Sequence, residues 1–235
     1  MLENSWKSQF PFLTQEKNGQ QLVYFDNACM TPCPVQVLEA VEKYNKEFFS
    51  CGGRSNTRFG RQVDNKVEET RELVAKFIGA GTPSEIIFTK NTTEGINLVA
   101  RGLDLKSGER VLVSDREHNS NLIIWQVLQK ERGIELVVLP SKSDETFDLA
   151  GLEAELQKGI KLVSVVYSSN LDGYTLPIEE IVKLARKYES LIMLDGAQAV
   201  PHHPVNVKKM GVDFLAFSGH KMMAPSGTGI LYGRL

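Results

Sequence analysis

The chain has 235 residues, of which 42% are apolar and 24% are charged, and its formal net charge is −2. These values are near globular averages, and such a balanced charge provides no broad basic surface for nucleic acid. The apolar runs are far shorter than the roughly 20 residues that span a bilayer, and the first residues lack the basic and apolar regions of a secretory signal. We therefore expect a soluble, cytoplasmic protein that binds neither nucleic acid nor membrane.

The first 80 residues predict an irregular arm followed by helices. Residues 1–20 show no regular pattern and are assigned to an N-terminal arm, and residues 21–235 to one domain. Apolar residues then recur at helical spacing, which predicts a helical segment at about residues 34–80 with two stripes packed in the core. The stripes are Val35, Leu38, Val41 and Phe49, then Val63, Val67, Val74, Phe77 and Ile78.

Seven apolar runs follow, and most are separated by helical patterns. This alternation predicts an α/β fold with a mostly parallel seven-stranded sheet and helices on both faces. Only residues 218–229 join the last two runs, which is too short for a crossover helix, so we expect one antiparallel strand at an edge. The runs are 86–88, 111–113, 135–139, 162–167, 191–194, 214–217 and 230–232.

The segment after the first run has the character of a phosphate site. Residues 89–95 (TKNTTEG) open a helical pattern, and a helix N-terminus offers unpaired N–H groups and a partial positive charge. Thr92 and Thr93 would add hydroxyl donors. A threonine-capped helix with Glu94 in its first turn is an equally good interpretation.

His118 and Asp195 each follow a predicted strand. An imidazole at His118 could stack on a cofactor ring and exchange protons near neutral pH, although a structural histidine is the commoner case. A carboxylate at Asp195 could keep a pyridine nitrogen protonated, or it could cap a helix. Because ligands bind at the carboxyl ends of parallel strands, these side chains are expected to meet.

Lys221 lies between an apolar run and a glycine-rich turn, in residues 218–229 (SGHKMMAPSGTG). The serine and histidine before it are potential donors to a phosphate, and the turn would fold the backbone tightly around it. A solvated loop lysine is the alternative. Together with Asp195, this lysine points to pyridoxal phosphate (PLP), which requires a Schiff-base lysine and an acid beside the ring nitrogen.

Six segments in this order resemble the class V aminotransferase-like branch of fold-type I PLP enzymes, specifically the cysteine desulfurase and selenocysteine lyase family. The resemblance spans about residues 22–233. Trp125, seven positions after His118, is similar to the branch that acts on free cysteine or selenocysteine. The segments are 24–28 (YFDNA), 92–99 (TTEGINLV), 117–118 (EH), 169–173 (SNLDG), 195–199 (DGAQA) and 218–221 (SGHK).

The resemblance implies a role for each matched residue. Lys221 would form the internal aldimine, Asp195 would partner the pyridinium nitrogen, and His118 would stack on the ring. The other implied cofactor ligands are Asn170 and Gln198 at the ring hydroxyl oxygen and Thr92, Thr93, Ser218 and His220 at the phosphate.

The same resemblance implies a small C-terminal domain that carries a nucleophilic cysteine and a carboxylate-binding arginine. The chain ends at Leu235, and Cys29, Cys33 and Cys51 all lie within its first 51 residues. We therefore expect only the large-domain portion, without the small domain. The cysteines are poor candidates for the nucleophile, and their spacing with no nearby histidine argues against a metal site.

The implied activity is that of a cysteine desulfurase, which converts cysteine to alanine and leaves a persulfide sulfur on the enzyme. Implied partners are the substrate, cysteine or selenocysteine, a second copy in a homodimer, and a sulfur-acceptor protein of iron–sulfur cluster assembly. Two alternatives stay open. One is another lyase, epimerase or aminotransferase of the same branch, and the other is a non-catalytic PLP-binding fragment or partner-dependent half.

Overall fold

The computed structural model describes residues 6–235, and it begins with short elements. Two 3-10 turns, Lys7–Gln9 and Pro11–Thr14, precede a hairpin of β1 (Glu16–Lys17) and β2 (Gln20–Gln21). Part of the predicted arm, residues 1–5, lies outside the described residues. The division of the chain at residue 20 stays a prediction.

Each of the seven predicted apolar runs is a strand of one sheet, which confirms the predicted fold class. The order within the described residues is β3-β9-β8-β7-β6-β4-β5. The strands are β3 (Ile86–Thr89), β4 (Arg110–Ser114), β5 (Glu135–Leu139), β6 (Ile160–Val166), β7 (Leu191–Asp195), β8 (Phe214–Ser218) and β9 (Gly229–Gly233).

The strands β4 to β8 are parallel, and β9 is antiparallel to both of its neighbours, β8 and β3. The predicted antiparallel pair is therefore confirmed, but its placement at the edge is wrong. Ile230, Leu231 and Tyr232 of β9 are all buried, as expected of a strand covered on both faces. The edge belongs instead to β3, where Ile87 is 44% exposed.

Helices cover both faces of the sheet. The helices α3 and α4 pack on one face, around the fully buried Trp125, and α5 and α6 pack on the other, around Ile181. The helices are α1 (Val35–Glu47), α2 (Arg58–Ile78), α3 (Thr92–Gly102), α4 (Asn119–Arg132), α5 (Leu149–Leu156), α6 (Ile178–Lys187), α7 (Ala199–His202) and α8 (Val207–Met210).

The predicted core stripes on the first two helices are only partly right. No residue of α1 is buried, and Leu38 is 47% exposed. Phe49, which follows α1, and Phe77 of α2 are exposed as well, whereas Ile78 is fully buried. Only the C-terminal end of α2 reaches the core, because the helical period identifies an apolar face without identifying what covers it.

The connections on the two sides of β4 position the candidate site. The chain leaves β4 for β5 on one side and then returns to β6 on the other side. Such a reversal opens a crevice at the carboxyl ends of the two strands, where open α/β sheets bind ligands. His118 follows β4 and Asn170 follows β6, so both residues lie at this crevice.

Candidate active site

All nine predicted site residues line one cavity of about 470 Å³ at the carboxyl ends of the strands. The structure thus brings together side chains from segments up to 129 positions apart in the chain (Thr92 and Lys221). Asp26, Ala28 and Cys29 of the N-terminal loop also contribute to the wall. The nine residues are Thr92, Thr93, His118, Asn170, Asp195, Gln198, Ser218, His220 and Lys221.

One end of the cavity is formed by the N-terminus of α3 and the end of β8. Ser218 Oγ accepts a hydrogen bond from the Thr92 N–H at 2.8 Å and lies 2.6 Å from Thr92 Oγ1. Asn91, and not a threonine, caps the helix by accepting from the Glu94 N–H at 2.8 Å. Both threonines therefore remain at the cavity wall beside a positive helix end, an arrangement suited to a phosphate.

Glycine allows β9 to approach this end of the cavity closely. A Cβ atom at Gly229 would lie 2.5 Å from the backbone N and Cα of Asn91. Any larger residue would push the first residue of β9 away from the loop that begins α3. Gly229 is thus required for the close packing at this end of the cavity.

Lys221 ends a 3-10 turn, Gly219–Lys221, that directly follows β8. The turn is tight, since a Cβ at Gly219 would lie 2.3 Å from Thr228 Oγ1. The Lys221 side chain is partly buried, and within residues 6–235 its amine has neither a hydrogen-bond partner nor an ion-pair partner. A lysine amine at a cavity wall can attack an aldehyde carbon after it has lost its proton.

Thr31, which sequence reasoning missed, holds the backbone on both sides of Lys221. Its N–H donates to the His220 carbonyl at 2.8 Å, and its Oγ1 accepts from the Met223 N–H at 2.7 Å. Met223 has a φ of 69°, a left-handed conformation that a residue other than glycine seldom adopts. No local pattern could reveal this contact, because it joins residues 192 positions apart.

Asp195 ends β7 and is 3% exposed, with its Oδ1 accepting from the Ala197 N–H at 2.9 Å. Burial raises the pKa of this carboxyl, and the Ala197 hydrogen bond and the charges of Lys221 and His118 oppose that increase. The N-cap position of α7 is occupied by Gln198, so the helix-cap interpretation of Asp195 is wrong. A buried carboxyl at a cavity wall is suited to binding a cationic ring nitrogen.

His118 has the structural role considered for it, and its position is compatible with the cofactor role, which stays a prediction. It caps α4, because its Nδ1 accepts from the Ser120 N–H at 3.1 Å, and its ring also lines the cavity. Since Nδ1 is an acceptor, the neutral imidazole carries its proton on Nε2. Ser120 Oγ links this ring, at 3.0 Å, to Thr93 Oγ1, at 2.7 Å.

The two predicted ring-side ligands, Gln198 and Asn170, lie beside neighbouring loops. Gln198 Nε2 donates to the Ala28 carbonyl at 2.8 Å, which joins the N-terminal loop to α7. Asn170 lies in the loop after β6, where Arg116 pairs with Asp172. Burial and the nearby ammonium of Lys221 both lower the pKa of His220, so its imidazole is neutral at neutral pH.

These groups fit PLP in size and chemistry. An amine, a buried carboxyl, an imidazole and a helix N-terminus with hydroxyl donors all line one cavity, whose volume is typical of small-molecule sites. Among residues 6–235 there is no group of three or more histidine, cysteine and acidic side chains that could hold a metal ion. No helix in the described part of the chain is long and apolar enough to cross a membrane.

Comparison with known proteins assigns the family. The sequence matches the aminotransferase class-V family over residues 23–235. It is 40% identical to a cysteine desulfurase of Serratia proteamaculans over 97% of this chain and 57% of that protein. It is similar to the apo structure of a cysteine desulfurase from Thermococcus onnurineus NA1, with a TM-score of 0.86 and 40% identity over 91% of this chain and 54% of that one.

A structure described as SspA in complex with cysteine is similar as well, with a TM-score of 0.84 and 28% identity over 90% of this chain and 61% of that one. The chain spans a little over half the length of the curated relatives that it matches. Because the family match covers nearly all of the described fold, including each residue at the cavity wall from Asp26 onward, this chain belongs to the aminotransferase class-V family.

Proposed function

We propose that this chain binds PLP through Lys221 and supplies the cofactor-binding part of a cysteine desulfurase. The observation that carries the proposal is the shared cavity of Lys221 and Asp195, in which the lysine charge acts on the buried carboxyl. The similarity to cysteine desulfurases and to a structure holding cysteine supports the choice of substrate.

The proposed roles are those that the family resemblance implies, and each residue concerned lies at the cavity wall. Bound PLP supplies an electron-withdrawing ring that stabilises negative charge at the substrate α-carbon. Lys221 Nζ would hold the aldehyde carbon of the cofactor, and its amine would serve as the base for the substrate α-proton. Asp195 would keep the ring nitrogen protonated, and His118 would contact the ring and exchange a proton through Nε2. Thr92, Thr93, Ser218 and His220 bind the phosphate, and Asn170 and Gln198 bind the ring hydroxyl oxygen.

Sulfur transfer requires a thiolate in addition to these groups. The thiolate attacks the sulfur of the substrate, so that an S–S bond forms and the carbon–sulfur bond breaks, with its electron pair left on carbon and protonated to give alanine. Of the three cysteines, Cys29 alone lines the cavity, and Cys33 and Cys51 do not. None matches the family's nucleophile, so we propose that this chain binds the cofactor without turning over cysteine by itself.

The proposed activity can be tested with purified protein, PLP, cysteine and a reductant. We expect a visible absorption band of lysine-bound PLP and no sustained release of sulfide and alanine. Sustained release of both would contradict the proposal that this chain alone does not turn over cysteine. Loss of that release in Cys29→Ala would then identify Cys29 as the nucleophilic thiol. Absence of the visible band, with native circular dichroism, would contradict the cofactor assignment.

We propose that the chain acts in the cytoplasm as a homodimer, and that the desulfurase to which it contributes the cofactor site passes sulfur to an acceptor protein. The exposed apolar side chains Phe49, Leu73 and Phe77 support an association through the α1 and α2 surfaces. Light scattering during size-exclusion chromatography should report twice the mass of one chain. A monomer at micromolar concentration would contradict the dimer.

A further inference from the structure

Glu117, the residue before His118, binds three structural elements at the floor of the cavity. Its Oε1 accepts from Ser114 Oγ at the end of β4 and from the Val166 N–H of β6 at 2.9 Å. Its Oε2 accepts from Asn121 Nδ2 of α4 at 2.6 Å. One carboxyl group therefore joins β4, β6 and α4 at the crevice where the candidate site lies.

Two of these three hydrogen-bond donors cannot act as acceptors toward Glu117. The Val166 N–H is backbone, and the orientation of the Asn121 amide is determined by its other partners. Asn121 Oδ1 accepts from Trp125 Nε1 at 3.1 Å and from Ser164 Oγ at 2.6 Å, and its Nδ2 also donates to the Ser164 carbonyl at 3.2 Å. A glutamine at position 117 would present its NH₂ group to one of these donors in either orientation, so the site requires a carboxyl.

Two residues that Glu117 holds in place, Val166 and His118, line the cavity. Val166 lines the cavity and is the register partner of Asp195 in the neighbouring strand β7. His118 follows Glu117 directly and is held from its other side by Ser120 in the first turn of α4. The Glu117 carboxyl thus anchors the backbone from which the His118 ring reaches the cavity.

The electrostatic surroundings couple Glu117 to Asp195. Burial raises the pKa of the Glu117 carboxyl from its ordinary value of 4.5 to about 7, the Asp195 charge adds to the increase, and the hydrogen bonds oppose it. Arg116 is adjacent in sequence but pairs with Asp172, and Asp115 binds Ser141.

We propose that Glu117 is a positioning residue for the cofactor site, one whose carboxyl holds His118 and β6 in place next to Asp195. This inference rests on the proposed PLP site for its effect on binding. The anchoring and the charge coupling can be measured without any cofactor.

The cofactor-free measurement follows glutamate carboxyl carbons by NMR as pH changes. We expect one glutamate resonance to titrate near pH 7 in the wild-type chain, to be absent in Glu117→Gln, and to titrate at lower pH in Asp195→Asn, where the neighbouring charge is removed. Because folded Glu117 retains its proton between pH 4.5 and about 7, the free energy of unfolding should fall as pH rises through that window. Glu117→Gln should flatten this slope.

The binding measurement compares Glu117→Gln with Ser164→Ala, a matched control that removes one hydrogen bond from the same network without altering the cavity wall. From absorbance titrations with PLP we expect Glu117→Gln to weaken binding by about tenfold and Ser164→Ala by less than about threefold. Equal losses in the two variants would make Glu117 a packing residue only and overturn the inference.

The two measurements separate the possible failures. A wild-type resonance near pH 7 that shifts in Asp195→Asn, together with no PLP binding, would contradict the proposed function and support the coupling. The inference is overturned if no glutamate titrates near neutral pH or if the midpoint is the same in Asp195→Asn. The titrations of the wild type and of Asp195→Asn do not require Glu117→Gln to fold, and in them that variant serves only to assign the resonance.

Discussion

The parallel half of the sheet and the N-terminal loop contribute to the same cavity in different ways. His118, Asp195 and Ser218 follow or end buried strands, whose packing places them. The N-terminal loop is exposed instead, with Phe25 at 90% and Val23 at 72% exposure. Its connections to the cavity are a few hydrogen bonds, those of Thr31 to the Lys221 loop and of Gln198 to the Ala28 carbonyl.

This difference separates two contributions to the site. The sheet presents the groups that carry the proposed chemistry, and the loop closes one wall and fixes the backbone around Lys221. Substitutions in the core of the sheet should therefore lower the free energy of unfolding. Substitutions in the loop should leave the fold intact and weaken PLP binding.

The largest effect is expected from a matched pair of leucines. Leu162 in β6 is fully buried, and Leu38 in α1 is 47% exposed. Leu162→Ala should reduce the free energy of unfolding by about 2–5 kcal/mol, because it leaves a cavity in the core. Leu38→Ala should cost less than about 1 kcal/mol in the same urea titration. Equal losses would mean that α1 is as well packed as the sheet.

Removing the charge of Asp195 should affect binding more than folding. Asn at position 195 can still accept from the Ala197 N–H but cannot pair with a ring cation. We expect Asp195→Asn to weaken PLP binding by about 2 kcal/mol, the typical size of a charge-assisted hydrogen bond. The measurement is an absorbance titration with PLP, and an affinity equal to that of the wild type would contradict the assigned role.

Thr31 tests whether the loop positions Lys221. Thr31→Ala removes the acceptor of the Met223 N–H, and we expect PLP binding to weaken by about 1 kcal/mol. Thr31→Ser retains the hydroxyl and serves as the control, with nearly wild-type affinity. If the alanine and serine variants bind PLP equally well, the Oγ1 contact does not hold the Lys221 loop.

The smallest expected effect is a decrease in the accessibility of the Cys29 thiol when PLP is bound. Cys29 and Cys51 are both exposed, but only Cys29 lines the cavity. Alkylation with iodoacetamide, followed by mass spectrometry, should show that saturating PLP slows modification of Cys29 and leaves Cys51 unchanged. Equal rates at Cys29 with and without PLP would place the cofactor away from the N-terminal loop.

Local patterns predicted the strands and the residues that directly follow them, because an apolar run identifies a buried strand and ligands gather at strand ends. The roles of Asn170 and Gln198 needed the resemblance, since an amide in a loop has no distinctive pattern. Thr31 and the environment of Glu117 were not predictable, because both depend on contacts between distant segments. The prediction that the antiparallel strand β9 lies at the edge of the sheet was wrong for the same reason. The sequence does not show that β9 pairs with β3, which is distant in the chain.

If the cavity holds PLP on Lys221, borohydride reduction will fix the cofactor to that residue irreversibly. The purified chain is incubated with PLP, reduced, digested and mapped by mass spectrometry, with Lys221→Arg treated in parallel. We predict that the pyridoxyl mass is found on the peptide containing Lys221 and is absent from that peptide in the variant. Labelling of Lys90 or Lys209 instead, or equal total labelling of the variant, would contradict the assignment of Lys221 as the PLP-binding lysine.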